Sequence, residues 1–101
     1  MRHARDEDLD RIEHLLLRLR ELGGLKERKR GCFYFKSKGF VHFHEDPKGM
    51  FADLRQVDTR DDRRMKVDTP AEQDALVKQA KTVLAALSSS SAGAKRSAGA
   101  A

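Results

Sequence analysis

Three consecutive segments between residues 31 and 57 alternate apolar and polar side chains with a period of two. They read GCFYFK, GFVHFHE and MFADLRQV. Aromatic and β-branched residues dominate them, as is typical of strands with one buried face. Short polar segments separate them, so the sequence predicts an antiparallel meander.

The apolar positions also predict the register of the first hairpin. A three-residue loop at 37–39, with its glycine in the left-handed conformation, sets Phe35 opposite Val41 and Phe33 opposite Phe43. All four side chains then share one face. A loop of two or four residues would break this apolar pattern.

Two more strands continue the same face. The segment 46–49, DPKG, is typical of a type I turn and places Ala52 opposite Phe43 and Leu54 opposite Val41. After a polar loop at 58–62, the segment RRMKVD predicts a fourth strand, whose Lys66 is expected opposite Asp53. The charged segment KERKR at 26–30, before the meander, is interpreted as a solvated connection.

Helical periodicity flanks the strands on both sides. Apolar residues recur at steps of three and four over 6–22, and two glycines at 23–24 end this helix. A second helix begins at TPAE, where Thr69 is the N-cap, Pro70 takes the first helical position and Glu72 completes a capping box.

The predicted fold class is α+β, in the order α-β-β-β-β-α. It comprises a four-stranded antiparallel meander with both helices on one face. Residues 1–87 form the single domain, and the segment 88–101, SSSSAGAKRSAGAA, is predicted to be a disordered low-complexity tail.

Composition bounds the function classes. No apolar run reaches the roughly 20 residues of a membrane span, and the first residues do not resemble a secretory signal, so a cytoplasmic protein is expected. The net charge of +5 arises from 21 basic and 16 acidic residues without a basic arm. This charge admits nucleic acid as a partner but also describes an ordinary soluble surface.

The face of the sheet opposite the helices is the predicted functional surface. Its ten candidate binding residues are Tyr34, Lys36, Phe40, His42, His44, Phe51, Asp53, Arg55, Arg64 and Lys66. Aromatic rings interleaved with basic side chains on an open sheet favour single-stranded nucleic acid as the first partner. A protein partner or a homodimer that covers the exposed rings is the alternative.

Two chemical alternatives use residues of the same face. Cys32, His42, His44 and Asp53 offer sulfur, nitrogen and oxygen ligands suited to zinc. Alternatively, Asp53 orients His42 as a general base. No Gly-rich phosphate loop or nucleophile elbow supports an enzyme, so the chain is interpreted as a binding module, and no cofactor is predicted apart from zinc in the first alternative.

The segment KSKGFVHFHEDPKGMFADLR followed by VDTPAEQ resembles a set of small conserved bacterial proteins of unassigned function. The order of helix, meander and helix is similar to the MmcQ/YjbR group, described as DNA-binding-like, although this chain lacks that group's tryptophan-containing segment. The resemblance implies a small sheet with helices on one side, and it assigns no catalytic residues.

Overall fold

The computed structural model describes the backbone of residues 2–100 and the side chains of residues 2–89. Its elements in chain order are β1 (Arg2–His3), α1 (Asp6–Asp10), α2 (Glu13–Arg20), β2 (Leu25–Lys29), β3 (Cys32–Phe35), β4 (Lys38–Asp46), β5 (Gly49–Leu54), β6 (Arg63–Lys66) and α3 (Pro70–Ala100). Strands β2 to β6 form an antiparallel meander, and β1 pairs with β4. The predicted α+β class is confirmed, with two more strands than expected.

One buried cluster holds the fold together. It combines the apolar stripes of α2 and α3 with alternate residues of the central strands, among them Leu15, Leu16, Leu19, Phe33, Val41, Phe43, Ala52, Leu54, Leu76, Val77 and Val83. Because each strand points alternate side chains to opposite faces, this shared cluster places the helices against one face. Tyr34 of β3 and, beyond Val41, His42 and His44 of β4 point to the other face.

The first predicted helix is divided in two. Ile12, which lies between α1 and α2, has non-helical dihedral angles but remains buried in the core. The Asp8 carboxylate accepts hydrogen bonds from the Arg5 amide at 2.9 Å and from the Arg2 guanidinium at 2.8 Å. Asp8 therefore fixes the start of α1 and also ties α1 to β1.

The charged segment 26–30 is mostly a strand, so its prediction as a connection is wrong. Leu25 lies opposite Phe35 and Glu27 lies opposite Phe33. Glu27 binds the Arg20 guanidinium of α2, so an acidic side chain on the helix side of β2 is neutralised by a helix residue. This pairing allows a polar segment to serve as an edge strand.

The β3–β4 hairpin has a different register from the predicted one. Its loop is Lys36–Ser37, and both residues have positive φ, 50° and 71°, as a two-residue type I′ turn requires. Tyr34 lies opposite Gly39 but Phe33 lies opposite Val41, so one extra residue is inserted in β4. This β-bulge keeps Phe33 and Val41 on the core face despite the shorter loop.

The pairing of β4 with β5 and the start of α3 follow the predictions. Phe43 lies opposite Ala52 and Val41 lies opposite Leu54. At the start of α3, the Glu72 amide donates to Thr69 Oγ1 at 3.1 Å and the Glu72 carboxylate accepts from the Thr69 amide at 3.0 Å. The predicted capping box is confirmed.

The short strand β1 was not predicted. Arg2 lies opposite Glu45 and His3 lies opposite His44, and the Ala4 amide donates to the Phe43 carbonyl at 3.1 Å. Because β5 occupies the other edge of β4 at these positions, β1 lies on the same edge as β3. The N-terminal residues thereby join the centre of the sheet.

Helix α3 is assigned as far as Ala100. Most of the segment 88–101 lies outside the described side chains, so the division into a domain at 1–87 and a disordered tail stays a prediction. Within the described residues, no helix combines the length and apolar character needed to cross a membrane.

Candidate metal centre

The open face of the sheet carries most of the predicted binding residues, with one correction. Phe40 is the extra residue of the bulge, and its side chain is 1% exposed within the core. Phe40 therefore cannot stack against a ligand. Tyr34, His42, His44 and Phe51 are half-buried on the open side, as their alternation predicts.

The last strand is shifted by two residues from its predicted position. Arg64 lies opposite Asp53, and Lys66 lies opposite Phe51, whereas Lys66 was expected opposite Asp53. The guanidinium of Arg64 donates to both oxygens of the Asp53 carboxylate, at 2.8 and 3.0 Å. This bidentate pair occupies the centre of the open face.

Three histidines converge beside this pair. His3 of β1 joins His42 and His44 of β4, and one ligand nitrogen of each lies within 4.8 Å of the other two. The ring centroid of His44 is 4.8 Å from that of His3 and 4.8 Å from that of His42. Among the described residues, this trio is the group of side chains that can hold a metal ion.

Local structure explains why the imidazoles meet. His42 and His44 are two residues apart on one strand and so point to the same side. His3 lies directly opposite His44 in the ladder, where side chains are about 4.5–5.5 Å apart at Cβ. His3 was missed because a two-residue strand carries no periodic signal.

Two of these imidazoles have a buried nitrogen with no hydrogen-bond partner, namely His42 Nδ1 and His44 Nε2. His44 Nε2 is 3.0 Å from Asp53 Oδ2, so the direction of approach, not the distance, prevents a hydrogen bond. A buried polar atom without a partner costs about 1–3 kcal/mol. Coordination of a cation would satisfy these nitrogens.

Carboxylates stand beside two of the three rings. Asp53 Oδ2 lies against His44, and Asp62 Oδ2 is 3.6 Å from His42 Nε2. Metal-ligating histidines usually have such a carboxylate near the ring nitrogen that does not bind the ion. The arrangement of His42 matches this pattern, since its Nε2 faces Asp62 while its Nδ1 is unpartnered.

The charge states of the site favour ligation. Burial lowers the pKa of His44, with Asp53 opposing this effect, and the neutral imidazole is the form that binds metal. Hydrogen bonds from Arg64 lower the pKa of Asp53. Near neutral pH the site therefore presents a neutral His44 next to an ionised Asp53.

Among the described residues, no hydrogen bond or ion pair joins His42 to Asp53, the pair predicted as a general base. The two residues are opposite each other in the ladder, but the Asp53 carboxylate contacts Arg64 and His44 while His42 faces Asp62. Asp53 therefore does not orient His42.

Cys32 does not belong to the histidine trio, although it lines a cavity of about 150 Å³ with His3 and His42. Burial raises the pKa of its thiol. The sulfur of Cys32 is not among the ligand atoms that converge in the trio. Of the four predicted zinc ligands, the trio includes His42 and His44.

The remaining aromatic candidates have other contacts. The guanidinium of Arg28 lies over the Tyr34 ring, 4.9 Å from its centroid, and therefore occupies a face on which a base would stack. Phe51 is half-buried opposite His44.

Comparisons with protein-family models, with curated proteins and with solved structures found no match for this chain. The resemblance to the MmcQ/YjbR group therefore stays a prediction, and the function must be inferred from the geometry of the site.

Proposed function

We propose that this protein is a metal-binding module that holds a zinc ion through His3, His42 and His44. The observation that carries the proposal is the convergence of three imidazoles, two of which have a buried nitrogen without a hydrogen-bond partner. Three nitrogen ligands suit zinc, which binds histidine at about 2.0–2.1 Å.

The spacing of the trio is close to what zinc requires. Tetrahedral ligands at those bond lengths lie roughly 3.3 Å apart, compared with the 4.8 Å within which the three nitrogens lie. Each ring needs to move by less than about 1 Å, which side-chain rotation supplies. His3 is exposed at the rim, so its ring has room to move.

Three protein ligands leave a fourth coordination position without a protein ligand. Zinc sites with three protein ligands and a water are typical of ions that act on a ligand, whereas closed sites with four protein ligands are structural. Asp53 Oδ2 lies 3.0 Å from His44 Nε2, so this carboxylate would stand next to the ion and not behind the His44 ring.

Zinc binding replaces the stacking of single-stranded nucleic acid on aromatic rings as the leading interpretation of the open face. Phe40 is buried, Arg28 covers Tyr34, and the centre of the face carries Asp53. The unpartnered atoms beside the Asp53–Arg64 pair are imidazole nitrogens, and neutral imidazole ligates a cation.

Calorimetric titration of zinc into the chelator-treated protein tests the proposal. We expect one zinc per chain. The variants H3Q, H42Q and H44Q should each weaken binding at least about 10- to 100-fold, the loss that removal of an outer-shell partner already causes. H14Q is the matched control, because His14 is exposed on α2, outside the trio.

Equal affinity of H3Q and H14Q would show that the trio does not form the site. Absence of binding to the wild-type protein at equimolar zinc would refute the proposed function outright.

A further inference from the structure

We propose that the protein has a second binding site, which takes a phosphate group. This site is an open cavity of about 370 Å³ between the start of β4 and the loop that follows β5, lined by Lys38, Arg55 and Arg60 among others. The volume lies at the small end of the range for ligand pockets, about 300–1,000 Å³. The proposal does not depend on zinc binding.

Arg55 is the residue that distinguishes this cavity from an ordinary charged surface. Four arginines are half-buried in the described structure, and Arg2, Arg18 and Arg30 each form an ion pair with a carboxylate. No carboxylate pairs with Arg55 among the described residues. A half-buried guanidinium without a paired anion is partly desolvated, so an anionic ligand would stabilise it.

Two further cations lie around the same cavity. Lys38 and Arg60 form no ion pair within the described structure, and Asp62 is the single carboxylate among the lining residues. Asp62 is also directed at His42. The lining therefore carries an excess of two positive charges, which suits an anion.

The backbone fixes the position of Arg55. Its amide donates to the Phe40 carbonyl at 2.8 Å, at the bulge of β4. Bulges redirect side chains next to functional sites, and this one brings the end of β5 beside Lys38. Thr59 also lines the cavity. Its hydroxyl accepts from the Asp61 amide at 3.2 Å and keeps a proton that it can donate to a phosphate oxygen.

The chemistry fits a phosphate better than a carboxylate. Arginine binds phosphate through two parallel hydrogen bonds, and three cations with a hydroxyl offer more donors than a carboxylate can use. A phosphate could come from a mononucleotide or from the backbone of a single strand. Both sources present the same group to Arg55.

The test uses the full chain treated with a chelator, so that zinc plays no part. Inorganic phosphate, AMP and an oligothymidylate of about ten nucleotides, a length within the site sizes of single-strand binders, are titrated separately at low salt. The side-chain NMR signals of Arg55 and Arg60 are followed. We expect saturable shifts with all three probes.

Substitution identifies the residues responsible. R55Q should weaken binding about tenfold or more, because a hydrogen bond to a charged group contributes about 1.5–3 kcal/mol, and R55K should restore part of it. R60Q, in an exposed loop, provides a second variant whose folding is not in question. K81Q removes one charge from the exposed side of α3 and should leave the affinity unchanged.

The probes also distinguish the two sources of phosphate. Tighter binding of the oligonucleotide with a log–log salt slope of about −2, from three contacts at about −0.7 each, would indicate a single strand. Equal binding of AMP and oligonucleotide would indicate a mononucleotide. The proposal is overturned if none of the three probes shifts Arg55 or Arg60, or if R55Q and R60Q bind as tightly as K81Q.

Discussion

Replacement of Phe40 tests the register on which the functional site depends. The alternation of the sequence alone places this ring on the open face, but the bulge in β4 turns it into the core, where it is 1% exposed. An exposed phenylalanine can be replaced at almost no cost in stability. A buried one cannot, so the two arrangements predict different unfolding free energies.

The magnitude follows from burial. Removal of a core phenylalanine side chain to alanine costs about 3–5 kcal/mol, a large part of the roughly 5–15 kcal/mol expected for a chain of 101 residues. F40L is the better probe because it keeps a large apolar side chain. At about 0.8 kcal/mol for each buried CH₂-sized group that the substitution removes, we expect the free energy of unfolding to fall by about 2 kcal/mol. This loss corresponds to a fall in Tm of about 8–16 °C.

Urea unfolding followed by circular dichroism measures this loss. F51L is the matched control, since Phe51 is half-buried on the open face, and it should cost less than about 1 kcal/mol. A loss below about 0.5 kcal/mol for F40L, with a larger loss for F51L, would place Phe40 on the open side. It would also contradict the arrangement of β4 that presents the histidines.

Three further predictions concern individual elements. S37G should raise the unfolding free energy, measured in urea, by about 0.5–1 kcal/mol, because glycine adopts the positive φ of 71° without strain. G39A should be neutral or slightly stabilising, because this residue has no positive φ and has open space at Cβ. If G39A instead lowered the unfolding free energy by more than about 1 kcal/mol, the result would support the three-residue loop. T69A should lower stability by about 0.5–2 kcal/mol through loss of the cap of α3, measured by thermal unfolding, and a change within error would contradict the capping box. A hydrogen bond from the Arg5 amide, and then one from the Arg2 side chain, hold the pKa of Asp8 below its usual 3.8. The stability that Asp8 contributes is therefore fully present above pH 3.8 and is lost as the pH falls through the lower pKa of the folded state. D8N should flatten the fall in stability below about pH 4, and an unchanged acid profile would refute this.

The sequence predicts those parts of the fold that depend on local chemistry. The DPKG turn and the apolar alternation together set the pairing of β4 with β5, and the capping box sets the start of α3. Each of these signals lies within a few residues and has one physical solution, so each could be predicted without knowledge of the rest of the chain.

The missed features depend on distant partners. Leu25–Lys29 forms a strand because the Glu27 carboxylate pairs with the Arg20 guanidinium of α2. The sequence around KERKR does not indicate this contact. The bulge at Phe40 combines a two-residue turn with the same apolar face, a solution that the alternation of side chains alone cannot distinguish from a longer loop. Propensity is overridden by tertiary contacts in both cases.

The candidate site could be predicted in part for the same reason. His42 and His44 share a strand, so their common direction follows from the alternation of side chains. His3 is almost forty residues away in the sequence and joins them through a two-residue strand that Arg2 and Asp8 tie to α1. In the sequence, α1 and α2 lie between His3 and the other two histidines, and no pattern in the chain links the three residues.

X-ray absorption at the zinc edge of the zinc-loaded protein tests the three-histidine site most directly, because it reports the type of each ligand atom. The trio predicts imidazole nitrogens from three histidines at about 2.0–2.1 Å, with a water oxygen in the remaining position. A sulfur neighbour at about 2.3 Å would implicate Cys32, and fewer than three imidazoles would exclude His3; either result would contradict the site described by the structure.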